Sequence, residues 1–160
     1  MRLKPLRSMN GPISILFVCH GNICRSPMAE VIFRDLVQKK GLQEQFSVSS
    51  CATSTEEIWN GIGNPIYPEA EAELRKHGLS ANGHRAVLLT KKDYEKYDLF
   101  FGMDERNMRG MLRIFGSDPE NKVRKLRRED VSDPWYYGHF DVVYDEIKEG
   151  CEAILEEYGK

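Results

Sequence analysis

This chain lacks long apolar runs, strong net charge and any dense cysteine pattern, and each shortage excludes a class of protein. No stretch of its 160 residues approaches the roughly 20 consecutive apolar residues that a bilayer-spanning helix needs. The formal net charge is −2, so no global field draws the chain toward nucleic acid or an anionic membrane. Four cysteines could staple a small secreted fold, but a chain of this length buries enough core without them. His20, His77, His84 and His139 are scattered, and no paired His-Cys motif follows Cys19 and Cys24. No metal and no cofactor are expected. Residues 1–12 carry basic residues but no apolar centre, unlike a secretory signal. They read as a flexible lead-in to one domain over 13–160, with a cytoplasmic location.

What is present alternates between strand and helix. Ile13–Val18 is apolar and β-branched, as a buried strand requires. Ala29, Ile32, Phe33, Leu36 and Val37 recur at helical spacing, with Ser26-Pro27 as a helix start in which Ser caps. Phe46–Ser50 reads as a second strand, Pro68–His77 as a helix stopped by Gly78, and His84–Leu89 as a short strand. Lys91–Lys96 reads as a helical turn and Tyr97–Met103 as a strand. Asp104 then caps a helix to Phe115, and Asp141–Tyr158 is the last helix. This alternation implies an α/β fold, a parallel sheet with helices on both faces, and ligands at the carboxyl ends of strands. Lys122–Arg128 is the marked basic run and reads as a solvated edge segment. If it functions, it attracts acidic flanks of a phosphoprotein. Cys151 shares a helical face with Val143, Ile147, Ile154 and Leu155 and belongs to the core. Cys51 follows a strand end and stays open between core and an extra redox partner.

The most informative segment is Val18-Cys19-His20-Gly21-Asn22-Ile23-Cys24-Arg25-Ser26-Pro27, between a strand and a helix. At that junction unpaired N–H groups and the helix dipole attract anions. Cys19 opens the loop, and cysteine is nucleophilic as its thiolate, a form that helix N-termini and cations favour. Arg25 offers a planar fork that grips two phosphoryl oxygens at once, which Lys does not. The Ser26 hydroxyl can donate to the Cys19 sulfur. Gly21 and Asn22 tolerate the left-handed backbone that inward-pointing N–H groups demand. His20, Gly21, Asn22, Ile23, Cys24 and Ser26 thus form the candidate phosphate cradle. Further along, Asp133-Pro134 precedes Trp135, Tyr136 and Tyr137. Tyrosine leaves poorly as an anion, so a positioned acid helps; Asp133 supplies one, and Trp135 and Tyr136 can border the pocket.

These two motifs resemble the low-molecular-weight protein tyrosine phosphatases, and the likeness runs from about Ile13 to Tyr158. The resemblance implies a three-layer fold on a four-stranded parallel sheet of flavodoxin-like order 2-1-3-4. It implies that Cys19 is the nucleophile, Arg25 the phosphoryl binder and Asp133 the general acid. It further implies that Ser50 and His84 hold Asn22 in a strained pose, and that Asp104 braces Arg25. By the same resemblance Cys24 forms a reversible disulfide with Cys19, and Tyr136 and Tyr137 receive regulatory phosphate from a tyrosine kinase. Tyrosine-phosphorylated proteins are the implied partners, inorganic phosphate the product, and a monomer or weak dimer the working form. Three departures stand out. Cys51 occupies a position where the family has Gly or Ala. The stretch Thr55–Gly63 is longer than usual, with Glu56 near the position of the cleft wall and Trp59 the nearest aromatic. Trp135 stands where Tyr is common.

Alternative activities can be weighed on single positions. Relatives that act on phosphoarginine carry Thr at the position of Ile23, so Ile23 favours phosphotyrosine. An arsenate reductase needs a relay of further cysteines, and none lies between Cys51 and Cys151. A non-catalytic phosphate-binding module is expected to lose Cys19 or Asp133, and both are present.

Overall fold

The computed structural model describes residues 11–159, apart from the side chains of Tyr136 and Tyr137. Most of the expected lead-in therefore lies outside the described residues. Four parallel strands form the central sheet: β1 (Ile13–Cys19), β2 (Phe46–Ala52), β5 (Leu99–Gly102) and β6 (Val123–Lys125). Their order is β2-β1-β5-β6, which is 2-1-3-4 within the sheet, as the resemblance implies. Ile13 pairs with Phe46 at one end of β1 and Cys19 with Ala52 at the other. Parallel strands are joined by crossover helices that cover both faces, and the two central strands β1 and β5 are accordingly largely apolar on both sides. In β1, Ile15 and Phe17 pack with α1 (Arg25–Lys39), α2 (Pro68–Lys76) and α6 (Phe140–Tyr158). The intervening Leu16 and Val18 pack instead with Met111 and Phe115 of α4 (Glu105–Phe115). A short hairpin of β3 (Ile58–Trp59) and β4 (Ile62–Gly63) projects from the loop after β2. A 3-10 turn (Gln43–Gln45) and the short helices α3 (Asp93–Lys96) and α5 (Pro134–Tyr137) complete the described elements.

Three expectations need correction. His84–Leu89 is not a strand: it makes one isolated bridge, between Ala52 and Leu88. Its neighbouring donors are committed elsewhere, Val87 N–H to the Asn22 side chain and Ala86 N–H to the Asn64 carbonyl, so no ladder extends. The fourth strand comes from the basic run, within Lys122–Arg128, which is therefore no mere solvated edge. There Lys125 pairs with Glu105 and Asp130, and Arg127 with Glu146 and Glu149. Finally, α1 begins at Arg25, two residues earlier than Ser26 capping requires, and Cys24 is an N-cap without a side-chain bond.

The hairpin is locked to the 84–89 segment by a close backbone approach. A Cβ on Gly63 would lie 1.9 Å from the Ala86 carbonyl oxygen. Gly63→Ala is expected to lower stability by about 3 kcal/mol, the upper range of overpacking. An unchanged urea midpoint would mean that the two segments separate freely.

Candidate active site

The loop after β1 bends back on itself because Asn22 takes a left-handed backbone, φ 61°. Asn22 is fully buried and saturates its side chain with bonds. Its Nδ2 donates to Ser26 Oγ at 2.8 Å and to Ser50 Oγ at 3.0 Å, and its Oδ1 accepts from Val87 N at 3.0 Å. His84 Nε2 donates to the Asn22 carbonyl at 2.7 Å. Ser50, itself oriented by a 2.7 Å bond to Glu30 Oε1, and His84 thus meet at Asn22. The Asn22 N–H in turn points at Cys19 Sγ, 3.3 Å away.

Asn22→Ala removes these side-chain bonds and places a Cβ residue with no local hydrogen bond at positive φ. Each lost buried bond costs about 1–3 kcal/mol, and left-handed backbone about 1–2 kcal/mol for an ordinary residue. The expected loss is roughly 4 kcal/mol or more in chemical denaturation. Asn22→Gly, which relieves the backbone cost, should lose less. Equal stability of wild type and Asn22→Ala would contradict the role of this hub.

Cys19 sits at the floor with its Sγ 2.9 Å from Ser26 Oγ. Ser26 Oγ already accepts from Asn22, so its proton is free to point at the sulfur; its other acceptor, the Cys51 carbonyl, is at 3.5 Å. Arg25 is 4 % exposed. Its Nη1 donates to Val131 O at 2.9 Å and forms an ion pair with Asp104 Oδ2, also at 2.9 Å. Asp104 is fixed by a capping box at the start of α4 with Asn107. Asp133 caps α5 by accepting from Trp135 N at 3.0 Å, and its Oδ2 lies 3.9 Å from Arg25 Nη2. Trp135 is exposed and packs edge-on against Tyr67 at 6.0 Å. Tyr136 was expected beside it; its side chain lies outside the described residues.

Together Cys19, His20, Gly21, Asn22, Ile23, Cys24, Arg25, Asp133 and Trp135 line one cavity of about 270 Å³. Ser26, Ser50, His84 and Asp104 stand behind this lining, on the groups they bond. The cavity also includes Glu56, Glu57 and Arg106, of which the sequence pointed only to Glu56. Glu56 Oε2 bonds His20 Nε2 at 2.8 Å, and this bond, followed by the charge of His20, lowers the Glu56 pKa. Trp59 is 73 % exposed on the hairpin and is not among the lining residues. Glu57 is held by Asn64 and fits against Gly21, where a Cβ would meet it at 3.1 Å. No local signal marked Glu30, Glu57 or Arg106, although Arg106 could have been placed from the helix that Asp104 caps.

Burial, then the neighbouring Cys19, pushes the Cys24 thiol well above its usual range. Burial also raises Cys51 and Cys151. Cys51 packs with Leu16, Val18 and Phe100 on the opposite sheet face from Cys19, which answers the open question in favour of core. Cys151 lies in the larger core, as expected. Among the described residues, no group of three or more His, Cys, Asp or Glu is placed to hold a metal, and no helix is long and apolar enough to cross a membrane.

Fold and site define a class: a parallel α/β protein whose first strand delivers a cysteine to the floor of a cavity lined by the loop that follows. Comparison with known proteins narrows the class. The family model for low molecular weight phosphotyrosine protein phosphatase matches residues 14–160. The low molecular weight protein-tyrosine-phosphatase YfkJ of Bacillus subtilis is 39% identical over 150 residues, covering 89% of this chain and 94% of that protein. Its crystal structure superposes with a TM-score of 0.84 over 93% of this chain and 98% of that one, at 36% identity. The Drosophila arginine phosphatase DARP superposes with a TM-score of 0.78 at 31% identity, over 91% of this chain and 98% of that one. This chain belongs to the low molecular weight phosphotyrosine protein phosphatase family.

Proposed function

We propose that this chain hydrolyses phosphotyrosine in proteins through a phosphocysteine intermediate. The observation that carries the reading is the convergence of Cys19 Sγ, the Arg25 fork and the Asp133 carboxyl on one small cavity. The Cys19 thiolate attacks phosphorus, the P–O bond to tyrosine breaks, and Asp133 gives its proton to the departing phenolate. A water then attacks phosphorus, Asp133 takes its proton, and the P–S bond breaks to release phosphate. Ser26 donates to the departing sulfur. Asp104 and Val131 occupy Arg25 Nη1, which leaves the Nε–Nη2 edge for two phosphoryl oxygens. The loop N–H groups bind the remaining charge, and such preorganised donors are the largest single source of rate in comparable sites.

Residues 13–160 act in this reading as one catalytic domain. A nucleophilic thiol also suits a reducing compartment, so the cytoplasm is the proposed location. Oxidation that joins Cys19 to Cys24 would protect the nucleophile from irreversible oxidation. Tyr136 and Tyr137 are the proposed sites of tyrosine-kinase input.

A second substrate has one observation in its favour. Glu56 and Glu57 place carboxylates at the cavity, where a guanidinium would find acceptors. His20 and Asn64 already bond them, however, and Ile23 gives the cradle an apolar side chain. Phosphotyrosine is the better fit. Phosphate release from phosphotyrosine and phosphoarginine peptides, measured side by side in EDTA, decides between them. Faster release from phosphotyrosine supports the reading; preference for phosphoarginine overturns it.

A further inference from the structure

A second concavity of about 490 Å³ adjoins the first and shares two residues with it, His20 and Arg106. One wall is the exposed face of α4, where Arg106, Arg109 and Arg113 follow at positions i, i+3 and i+7. That spacing stacks side chains along one helix face. The other wall is the loop after β2, with the hydroxyl residues Thr53, Ser54 and Thr55. Loop and helix meet at Gly110, where a Cβ would come within 3.1 Å of Thr53. No Asp or Glu is among the residues that line the groove. Arg109 and Arg113 have no ion-pair partner among the described residues. Arg106 feels the charge of Glu56 at the cavity mouth. Two cations of Lys122–Arg128 contrast with these: Lys125 and Arg127 are neutralised by carboxylates within the fold.

We propose that this arginine groove is a substrate subsite that takes acidic side chains flanking the phosphotyrosine. The inference rests on the phosphotyrosine reading and adds a sequence preference to it. Arg106 borders the cavity, so the groove starts where a bound phosphotyrosine leaves the pocket. From Arg106 to Arg113 the helix advances about 10 Å, which an extended peptide covers in about three residues. Carboxylates within roughly four residues of the phosphotyrosine reach the arginines. The Thr and Ser hydroxyls across the groove can donate to the same carboxylates. The basic groove also raises the encounter rate of acidic peptides, an effect that salt screens.

The test compares kcat/KM for phosphotyrosine peptides flanked by Glu, by Ser or by Lys, on either side. Wild type is expected to favour the Glu peptides over the Ser peptides about tenfold at low salt, a margin that 1 M salt removes. In Arg109→Ser/Arg113→Ser the margin falls to within about twofold, while turnover of a small aryl phosphate is unchanged. In Arg109→Glu/Arg113→Glu the preference passes to the Lys peptides. Equal turnover of Glu and Ser peptides by wild type, or a margin that survives Arg109→Ser/Arg113→Ser, overturns the subsite and leaves the phosphotyrosine reading intact. Turnover of no peptide overturns both.

Discussion

Cys19→Ser lowers turnover of phosphotyrosine peptides by about 10⁴-fold or more, the scale seen when a covalent nucleophile is removed. Serine keeps the shape of the loop, and its hydroxyl can still meet Ser26 Oγ and the Asn22 N–H where sulfur now sits. It does not keep the chemistry. A hydroxyl without an adjacent base is a weak nucleophile, whereas a thiolate is strong without one. Any oxygen ester that did form would leave poorly. Arg25, Asp104 and the loop N–H groups are untouched, so phosphate binding should persist within a few-fold of wild type. Equilibrium binding of phosphate alongside single-turnover release separates the two effects. Activity within tenfold of wild type would place the nucleophile elsewhere.

Asp133→Asn is expected to cost about 10²–10⁴-fold with a tyrosine leaving group, the range of general acid catalysis. Asparagine caps helices as well as aspartate does, so the bond to Trp135 N and the start of α5 remain. What disappears is the proton for the phenolate. The loss should therefore shrink steadily across a series of aryl phosphates as the leaving group becomes more acidic. A loss of the same size for every leaving group would mean that Asp133 only positions the loop or Arg25.

The parts of this molecule that were legible in the sequence are those set by neighbouring residues. Cys19 to Ser26 is one continuous stretch from the end of a strand into the first turn of a helix, and periodicity in Ile13–Val18 and from Ala29 onward marks both flanks. The Asp104 cap was legible for the same reason, as its partner Asn107 is three residues away. The fourth strand was hidden because Lys122–Arg128 looks solvated until Glu105, Asp130, Glu146 and Glu149 are brought around it by the fold. His84–Leu89 erred in the opposite direction: its composition suits a strand, but the Asn22 side chain takes the Val87 donor. Asn22 itself illustrates the limit. Its tolerance of positive φ was readable from residue type, while its bonds to Ser50 and His84 came into view through family resemblance. Glu30 and the Val131 carbonyl depend on contacts between distant segments, and nothing local announces them.

The account stands on a covalent bond between Cys19 sulfur and phosphorus. The most direct measurement mixes enzyme with a radiolabelled phosphotyrosine peptide, quenches within milliseconds and maps the label by peptide mass spectrometry. The account predicts label on the peptide that contains Cys19, as phosphocysteine, appearing before free phosphate and absent from Cys19→Ser. Phosphate released with no label on the protein at any time, or label on another residue, would contradict it.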